Sequence, residues 1–160
     1  NLIKEKQKQL QLSIILTNTT DARKLQEVHE PSFFDRIIID APCSGLGVLQ
    51  GKPDVKYNKT EQDIKRLQSI QLEILESVAP LLKKNGKLIY STCTVDITEN
   101  EQVVRKFLEK NEQYQMDTSF FEELPMILKN TVGQSVYGLQ IFPQTFQTDG
   151  FFLTRLIKVG

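Results

Sequence analysis

The sequence predicts an α/β protein built on a mostly parallel, twisted sheet. Short apolar segments rich in β-branched residues alternate along the chain with amphipathic segments of helical period. This alternation is typical of parallel strands joined by helices that cover both faces of the sheet. The clearest strand is 36–40, where three consecutive isoleucines precede Asp40. Pro42 lacks a backbone donor and fixes φ, so the strand is expected to end before it.

The other elements are predicted from the same two periodicities. A long amphipathic helix begins at the capping-box sequence Thr60–Asp63 and is expected to end at Asn85-Gly86. A second capping box, Thr98–Glu101, predicts the start of the next helix. The remaining segments are a polar helix at 2–11, a strand at Ser13–Leu16, a short helix at 22–28, and strands at 87–94, 114–117, 139–142 and 151–158.

Composition excludes several classes of protein. The chain has 160 residues, of which 39% are apolar and 25% charged, an ordinary composition for one domain with its own core. It contains no apolar run of the roughly 18–20 residues that a membrane span needs. The 20 basic and 20 acidic residues give zero net charge, whereas a dedicated duplex-binding module is usually basic. We therefore expect a cytoplasmic protein without a membrane segment.

The cysteine and histidine content limits the possible chemistry. Two cysteines and one histidine are too few for a Cys/His zinc site made by this chain alone, so no metal is expected. Without an export signal, the two thiols are expected to be reduced. The chain also lacks an initiator methionine and begins inside a predicted helix, which indicates a piece of a longer protein.

The two thiols are predicted to lie at one end of the sheet. Cys43 follows the strand that ends at Asp40, and Cys93 lies at the end of the strand at 87–94. A right-handed helical crossover should place these strands side by side or nearly so, and parallel neighbours are about 4.8 Å apart. Both thiols should therefore meet in the crevice at the carboxyl ends, where open α/β sheets bind ligands.

The chemistry of two thiols can be interpreted in two ways. Free cysteines are often small core residues, although the polar neighbours of Cys43 and Cys93 argue against that here. A thiolate is also a strong nucleophile that needs a partner able to hold or return a proton. The single histidine, His29, lies in a different loop, so a Cys/His pair is not expected. A thiol and an acid without histidine suit a substrate with its own electron sink, such as a pyrimidine ring.

Two further polar segments have competing interpretations. Asp21 lies just beyond the predicted strand at Ser13–Leu16, and it either caps the following helix or contacts a ligand. Between Lys52 and Arg66 there are five basic and three acidic residues, which either form a solvated loop or contact phosphates. The residues alone do not decide between these interpretations.

Four motifs resemble those of the Sun-type RNA 5-methylcytosine methyltransferases, and most closely those of the bacterial members that modify small-subunit ribosomal RNA. They are Asp40-Ala41-Pro42-Cys43-Ser44-Gly45, Lys52-Pro53-Asp54-Val55-Lys56, Ser91-Thr92-Cys93-Thr94 and Thr148-Asp149-Gly150-Phe151-Phe152. The resemblance covers residues 13–158. It implies a Rossmann-like methyltransferase fold, S-adenosylmethionine as the cofactor and RNA as the partner.

The resemblance also implies a role for each site residue. Cys93 would attack C6 of a flipped-out cytosine, so that C5 can accept a methyl group. Cys43 would resolve the covalent adduct, and Asp40 would lie beside both the cytosine and the cofactor. The cofactor-binding residues would be Asp21, Asp40 and Pro42, and the substrate-binding residues Ser44, Lys52 and Lys56.

The resemblance is incomplete on the N-terminal side. The family's Gly-rich loop with its lysine, and the strand that ends in a ribose-binding acid, have no counterpart before Ser13. We therefore expect residues 1–160 to be the C-terminal part of the methyltransferase domain, inactive alone and with little affinity for S-adenosylmethionine. The missing strand would leave unpaired sheet edges, which invite a shifted N-terminal strand or association between chains.

Two other classes of function remain open from the sequence. Cys43 and Cys93 could form a thiol–disulfide redox module, although the sequence has no Cys-x-x-Cys pair. The near-neutral charge also fits a non-catalytic domain that binds RNA or protein.

Overall fold

The computed structural model describes residues 2–49, 51, 59–131 and 133–160, which include one six-stranded sheet with helices packed against it. The strands are β1 (Phe34–Asp40), β2 (Leu82–Thr92), β3 (Tyr114–Met116), β4 (Gly133–Ser135), β5 (Gly138–Ile141) and β6 (Phe151–Lys158). The helices are α1 (Leu2–Gln9), α2 (Glu61–Val78), α3 (Glu101–Lys110), α4 (Ser119–Glu123), α5 (Met126–Thr131) and α6 (Pro143–Phe146). Two 3-10 turns lie at Ala22–Glu27 and Ala79–Leu81.

The sheet is mixed. Its strand order is β1-β2-β6-β5-β4, and β3 also pairs with β6. β1 and β2 are parallel, with α2 in the connection between them. The pairs β2–β6, β3–β6, β4–β5 and β5–β6 are antiparallel. The α/β class is confirmed, but the parallel arrangement expected for most of the sheet is limited to β1 and β2, because the central β6 runs opposite to each of its neighbours.

The apolar core lies between one face of the sheet and helices α2 and α3. Alternate residues of a strand point to opposite faces, and Leu88 and Tyr90 of β2 share one face with Leu156 of β6. All three are fully buried, together with Leu75 of α2 and Phe107 of α3. Burying one such leucine or phenylalanine stabilises the fold by about 1.5–3 kcal/mol.

The opposite face of the sheet is less covered than the sequence predicted. Ile38, in the middle of the isoleucine run, is 73% exposed there, whereas Ile39 on the core face is buried. The prediction that helices cover both faces is therefore wrong at β1 for the part of the chain that the structure describes. The physical reason is the position of β1, which is the outermost strand on its side of the described sheet.

No strand forms at Ser13–Leu16, contrary to the prediction. Ile14 and Leu16 are 87% and 96% exposed. A strand needs a neighbouring strand to satisfy its backbone hydrogen bonds, and within the described residues no strand lies beyond the outer edge of β1. The sequence pattern of a strand is present here without a partner to pair with.

Helix α2 begins as predicted but ends earlier. Thr60 Oγ1 accepts a hydrogen bond from Asp63 N, and the Asp63 carboxylate accepts one from Thr60 N, which completes the capping box. The helix ends at Val78 because Pro80, in the following 3-10 turn, cannot donate to a helical hydrogen-bond ladder.

The predicted helix end at Asn85-Gly86 is wrong, because both residues lie inside β2. Phe34 of β1 pairs with Leu82, whereas Arg36 pairs with Lys87, so β2 carries extra residues between these two pairs. This irregularity places Asn85 at a φ of 61°, in the left-handed region that asparagine tolerates better than most residues. Asn85-Gly86 therefore does change the direction of the backbone, but it does so at an irregularity within strand β2 and not at the end of a helix.

The second predicted capping box is also wrong. Helix α3 begins at Glu101 with Asn100 as its N-cap, and the Asn100 side chain makes no capping hydrogen bond. Thr98, the predicted N-cap, lies in the turn before the helix, and its carbonyl accepts a hydrogen bond from Gln68 Nε2 at 2.5 Å. The helix therefore begins later than the pattern predicted, and Glu101 becomes its first residue.

An ion cluster lies on the face of the sheet opposite the core. Asp117, which follows β3, is 6% exposed, and its Oδ2 lies 2.7 Å from Arg155 Nε and 2.9 Å from Lys87 Nζ. Ser119 Oγ donates to Asp117 Oδ1 at 2.8 Å. Burial by itself raises the pKa of Asp117, but Lys87, Ser119 and Arg155 together lower it below its ordinary value. The cluster connects α4 with β2 and β6.

We expect Asp117→Asn to lower the free energy of unfolding by about 3 kcal/mol at pH 7, because it leaves two partly buried cations without their carboxylate. The folded-state pKa is lowered, so the stabilisation is complete above the unfolded-state pKa of about 3.9 and is lost as the pH falls through the folded-state pKa. Urea unfolding of the chain at pH 7 and at pH 3 should therefore show a smaller difference between variant and wild type in acid.

A matched control for this variant is Asp35→Asn. Asp35 also pairs with a lysine, since its Oδ1 lies 2.9 Å from Lys83 Nζ, but its side chain is 75% exposed. We expect little change in the unfolding free energy, because exposed ion pairs contribute little. Equal effects of the two substitutions would contradict the role given to the Asp117 cluster.

Candidate active site

The two thiols meet at the carboxyl ends of β1 and β2. In the parallel register Asp40 lies opposite Ser91, and Cys43 comes three residues after Asp40 while Cys93 comes two residues after Ser91. Their Sγ atoms are 3.2 Å apart, and both residues are half-buried. The predicted convergence of the two cysteines of the sequence is confirmed.

Backbone hydrogen bonds hold the loop that carries Cys43. Gly47 N donates to the Cys93 carbonyl at 3.0 Å, and the Gly47 carbonyl accepts from Gly150 N at 2.7 Å. A β-carbon at Gly47 would lie 2.3 Å from the Gly150 carbonyl oxygen, so a larger residue would force the two segments apart. Three of the four sequence motifs, those around Cys43, Cys93 and Gly150, are therefore in direct contact.

Ser44 has a structural position rather than an accessible one. It is 3% exposed, and its Oγ lies 2.9 Å from Thr94 Oγ1. Its backbone N–H donates to Glu99 Oε2 at 2.9 Å. The polar groups of Ser44 are buried and already partnered in this structure, and a role of Ser44 in substrate binding stays a prediction. Ser44 instead connects the Cys43 loop to the segment after β2.

A buried polar network lies beneath the Cys43 loop, and sequence reasoning missed it. Glu99 and Gln71 are fully buried. Gln71 Nε2 donates to the Pro42 carbonyl and to Glu99 Oε2, both at 2.9 Å. The Tyr90 hydroxyl donates to the Glu99 carbonyl at 2.7 Å. These bonds connect α2, β2 and the segment before α3 to the loop of the thiol site.

One sequence signal could have identified Gln71. It lies one helical turn from both Leu67 and Leu75, on the apolar side of α2, where a polar side chain is unusual and needs a buried partner. Glu99 carried no comparable signal, because its sequence neighbours matched a capping box.

Asn100 holds the end of β2 in a similar way. Its Oδ1 accepts from Thr92 Oγ1 at 2.6 Å, and its Nδ2 donates to the Thr94 carbonyl at 3.0 Å and to Gln140 Oε1 at 2.8 Å. Thr92, Thr94 and Asn100 are all buried. The residues on both sides of Cys93 are therefore fixed by hydrogen bonds, while the thiol itself stays half-exposed.

The protonation of the pair follows from its surroundings. Burial raises the pKa of the Cys43 thiol to about 12, and its hydrogen bond with Cys93 acts in the same direction. Cys43 is therefore protonated at neutral pH and can donate its S–H to Cys93 Sγ. At 3.2 Å either sulfur can donate to the other, so the attack of Cys93 on an electrophile stays a prediction.

Asp40 and Pro42 lie on the outer side of the thiol site. Both are exposed, and together they line a cavity of about 230 Å³. Asp40 provides the one charged side chain of this cavity; its other lining residues are the apolar Ala22, Leu25, Ile37, Ile38, Ile39, Ile74 and Val78. The arrangement suits a ligand with a flat apolar part and a hydrogen-bond donor.

Asp21 caps the 3-10 turn at Ala22–Glu27, as one of its two interpretations predicted. Its Oδ1 accepts from Arg23 N at 3.0 Å, and its Oδ2 lies 2.6 Å from Arg23 Nη2. The hydrogen bond from the Arg23 side chain lowers the pKa of Asp21 to about 2, so the carboxylate is charged at neutral pH. The capped turn contributes Ala22 and Leu25 to the cavity beside Asp40, and contact of Asp21 with a cofactor stays a prediction.

Two predicted substrate-binding residues lie outside the part of the chain that the structure describes. They are Lys52 and Lys56, with the motif between them.

Within the described ranges, no group of three or more His, Cys, Asp or Glu side chains could hold a metal ion. No helix in the same ranges is both long enough and apolar enough to cross a membrane.

Comparisons with known sequences agree on one family. The model of the 16S rRNA methyltransferase RsmB/F family matches residues 1–157. The probable ribosomal RNA small subunit methyltransferase B of Bacillus subtilis (strain 168) is 48% identical over 159 residues, which are 99% of this chain and 35% of that protein. Ribosomal RNA small subunit methyltransferase B of Photorhabdus laumondii is 38% identical over 88% of this chain and 30% of its own length. The chain thus spans about a third of the length of these relatives.

Solved structures share the fold. NSun6 from Pyrococcus horikoshii, crystallised with SFG, superposes with a TM-score of 0.81 at 26% identity, over 99% of this chain and 38% of that chain. The crystal structure of PH0851 gives a TM-score of 0.82 at 28% identity, over 98% of this chain and 34% of that one. The Rossmann-like methyltransferase fold expected from the motifs is therefore confirmed. From its sequence motifs, its paired thiols and the match of residues 1–157, the chain belongs to the 16S rRNA methyltransferase RsmB/F family.

Proposed function

We propose that the chain carries the catalytic thiols of an enzyme that transfers a methyl group from S-adenosylmethionine to C5 of a cytosine in small-subunit ribosomal RNA. The observation that carries the proposal is the Cys43–Cys93 pair, with 3.2 Å between the Sγ atoms, in a member of an rRNA methyltransferase family. The names of the curated relatives support the RNA substrate. The proposal places the protein in the cytoplasm, with its substrate.

The first half of the reaction belongs to Cys93. Cys93 enters the cycle as a thiolate, and its sulfur forms a bond to C6 of a cytosine that has been rotated out of its stack, while the electron pair of the C5–C6 double bond moves into the ring. C5 thereby becomes a nucleophile. S-adenosylmethionine supplies the electrophilic methyl group that C5 takes. Asp40, exposed at the end of β1 beside the thiol loop, can balance the change of charge on the ring.

Cys43 acts in the second half of the reaction, in which the covalent adduct is resolved. As a thiolate it takes the proton from C5, the C5–H electron pair restores the double bond, and the bond from C6 to Cys93 Sγ breaks. Cys93 leaves as a thiolate, and Cys43 is again protonated, as its raised pKa requires in the free protein. One proton per turnover goes to solvent, from Cys43 before the second step, so the cycle balances.

The residues present fit only part of the proposed cofactor. The cavity at Asp40 and Pro42 has a volume of about 230 Å³, whereas small-molecule sites usually have about 300–1,000 Å³. Its apolar lining and single carboxylate suit the adenosine end of such a ligand, and Asp21 lies on the turn at its border. The structure of NSun6 with SFG, an S-adenosylmethionine analogue, supports this choice of cofactor.

We expect residues 1–160 alone to bind S-adenosylmethionine with a Kd no tighter than about 1 mM, a free energy of about −4 kcal/mol, because the cavity encloses only part of the ligand. Isothermal titration calorimetry of the chain measures this directly. The full-length gene product is the matched positive control and should bind more tightly. Micromolar affinity of residues 1–160 would contradict the prediction.

The proposed activity is tested with the full-length gene product. Small-subunit ribosomal RNA from cells that lack the corresponding gene is incubated with the protein and with S-adenosylmethionine labelled in its methyl group. We expect label in 5-methylcytosine at a defined position of the RNA. Label in another base, or none, would refute the proposal.

The redox alternative also has an observation in its favour, because thiols 3.2 Å apart are close enough to oxidise to a disulfide with little movement. Thiol exchange needs one of the two sulfurs to react as a thiolate with the disulfide of a partner. Methyl transfer that continues in a strong reductant would separate the two functions. A non-catalytic domain would show neither methyl transfer nor exchange.

A further inference from the structure

The carboxyl group of Glu99 forms hydrogen bonds to the Cys43 loop from the interior of the protein. Glu99 is fully buried, and its Oε2 accepts from Ser44 N and from Gln71 Nε2, both at 2.9 Å. Gln71 Nε2 also donates to the Pro42 carbonyl at 2.9 Å. Pro42 and Ser44 are the residues directly before and after Cys43. The two side chains therefore fix the backbone on both sides of this thiol.

The carboxyl group of Glu99 is fully buried and belongs to no ion pair in the described residues. Buried polar atoms are usually hydrogen-bonded, yet Glu99 Oε1 has no hydrogen-bond partner in the part of the chain that the structure describes. The two hydrogen bonds that the side chain accepts are both made by Oε2, one from the backbone of the Cys43 loop and one from Gln71, which also holds that loop. The position of the Glu99 carboxyl is therefore tied to the backbone on both sides of Cys43.

We propose that Glu99, together with Gln71, is a positioning residue that orients Cys43 toward Cys93 and so sets the rate at which the covalent RNA adduct is released. This inference rests on the proposed function. Cys43 must point at the C5 proton of a base bonded to Cys93, and the two backbone anchors at Pro42 and Ser44 determine that direction. Cys93 is held by a different set of bonds, through Thr92, Thr94 and Asn100, so its attack on C6 should depend less on Glu99.

The test separates formation of the adduct from its release, using the full-length gene product and rRNA under single-turnover conditions. Glu99→Gln replaces the carboxyl group by an amide of the same size, with two N–H donors in place of one oxygen, beside groups that offer Oε1 no partner. Gln71→Met keeps the side-chain volume and removes both bonds from Nε2. We expect each variant to slow release of the adduct about ten- to a hundredfold, the size of effect that small errors in orientation produce. Adduct formation should change less than about threefold.

The controls make the outcomes distinct. Glu101→Gln, two residues along the chain and outside the network, should leave both rates unchanged. The double variant Cys43→Ala/Glu99→Gln should release its adduct no more slowly than Cys43→Ala, because Glu99 acts through that thiol. Thermal unfolding of each variant shows whether it is folded, and Gln71→Met keeps the proposal testable where Glu99→Gln does not fold.

Two results would overturn the inference. One is release at the wild-type rate in both Glu99→Gln and Gln71→Met. The other is equal slowing of formation and release, which a general loosening of the fold would cause. Failure of the proposed function looks different, because then Cys43→Ala would accumulate no adduct and the wild-type protein would methylate no cytosine.

Discussion

Cys93→Ser is expected to abolish formation of a covalent complex between the full-length gene product and RNA that contains 5-fluorocytosine. The fluorine cannot be removed as a proton is, so the wild-type adduct is trapped. A serine hydroxyl at this position stays protonated and is a far weaker nucleophile than a thiol. We expect methyl transfer to fall by about ten-thousandfold or more, since removing an enzyme nucleophile can cost up to about a millionfold. Denaturing gel electrophoresis of labelled RNA measures the complex.

The matched control for this experiment is the other thiol. Cys43→Ala should still form the complex with 5-fluorocytosine RNA, because Cys43 is proposed to act only after the adduct has formed. A Cys93→Ser protein that forms the complex while Cys43→Ala does not would exchange the two roles. Loss of the complex in both variants, with normal thermal unfolding, would indicate that the pair acts as a unit in the first step.

With ordinary RNA, Cys43→Ala is expected to accumulate the covalent adduct that the wild-type protein releases. The adduct forms through Cys93, but no base takes the C5 proton, and general bases commonly accelerate such steps about a hundred- to ten-thousandfold. We expect release to slow within that range. The burial that raises the pKa of the Cys43 thiol to about 12 would also make its thiolate a strong base.

This second prediction is measured by following the protein–RNA complex with time after mixing. Cys43→Ser is a useful companion variant, because its hydroxyl keeps the size of the side chain but is a poor base at neutral pH. Both variants should accumulate adduct to a similar extent. Rapid release of the adduct by Cys43→Ala would show that Cys43 is not the base of the second step. The raised pKa of its thiol would then have no role in catalysis.

Local patterns predicted the elements that are stable through their own neighbours in the chain. The capping box at Thr60–Asp63, the strand that ends at Asp40 and the final strand at 151–158 are present in the structure. Each depends on side chains within a few residues or on one clear apolar face. The position of the thiols was also predictable, because two strands joined by one helix leave few possible topologies.

The errors have a common physical cause, which is dependence on distant parts of the chain. Ser13–Leu16 has the pattern of a strand but no neighbour to pair with, and Asn85-Gly86 has the pattern of a helix end but pairs with β1. Thr98–Glu101 matched a capping box, yet the helix begins at Glu101, and the Glu99 carboxyl within that segment accepts hydrogen bonds from groups that lie 28 and 55 residues away in sequence.

The sequence by itself determined the family, the order of most elements and the identity of the two thiols, because these reside in contiguous motifs. Only the tertiary structure decided how the thiols are held. It showed an Sγ–Sγ distance of 3.2 Å, a Cys43 thiol whose pKa is raised by burial, and a buried glutamate and glutamine on either side of that thiol's backbone. Burial and hydrogen bonding between residues far apart in the chain depend on packing, which no local pattern records.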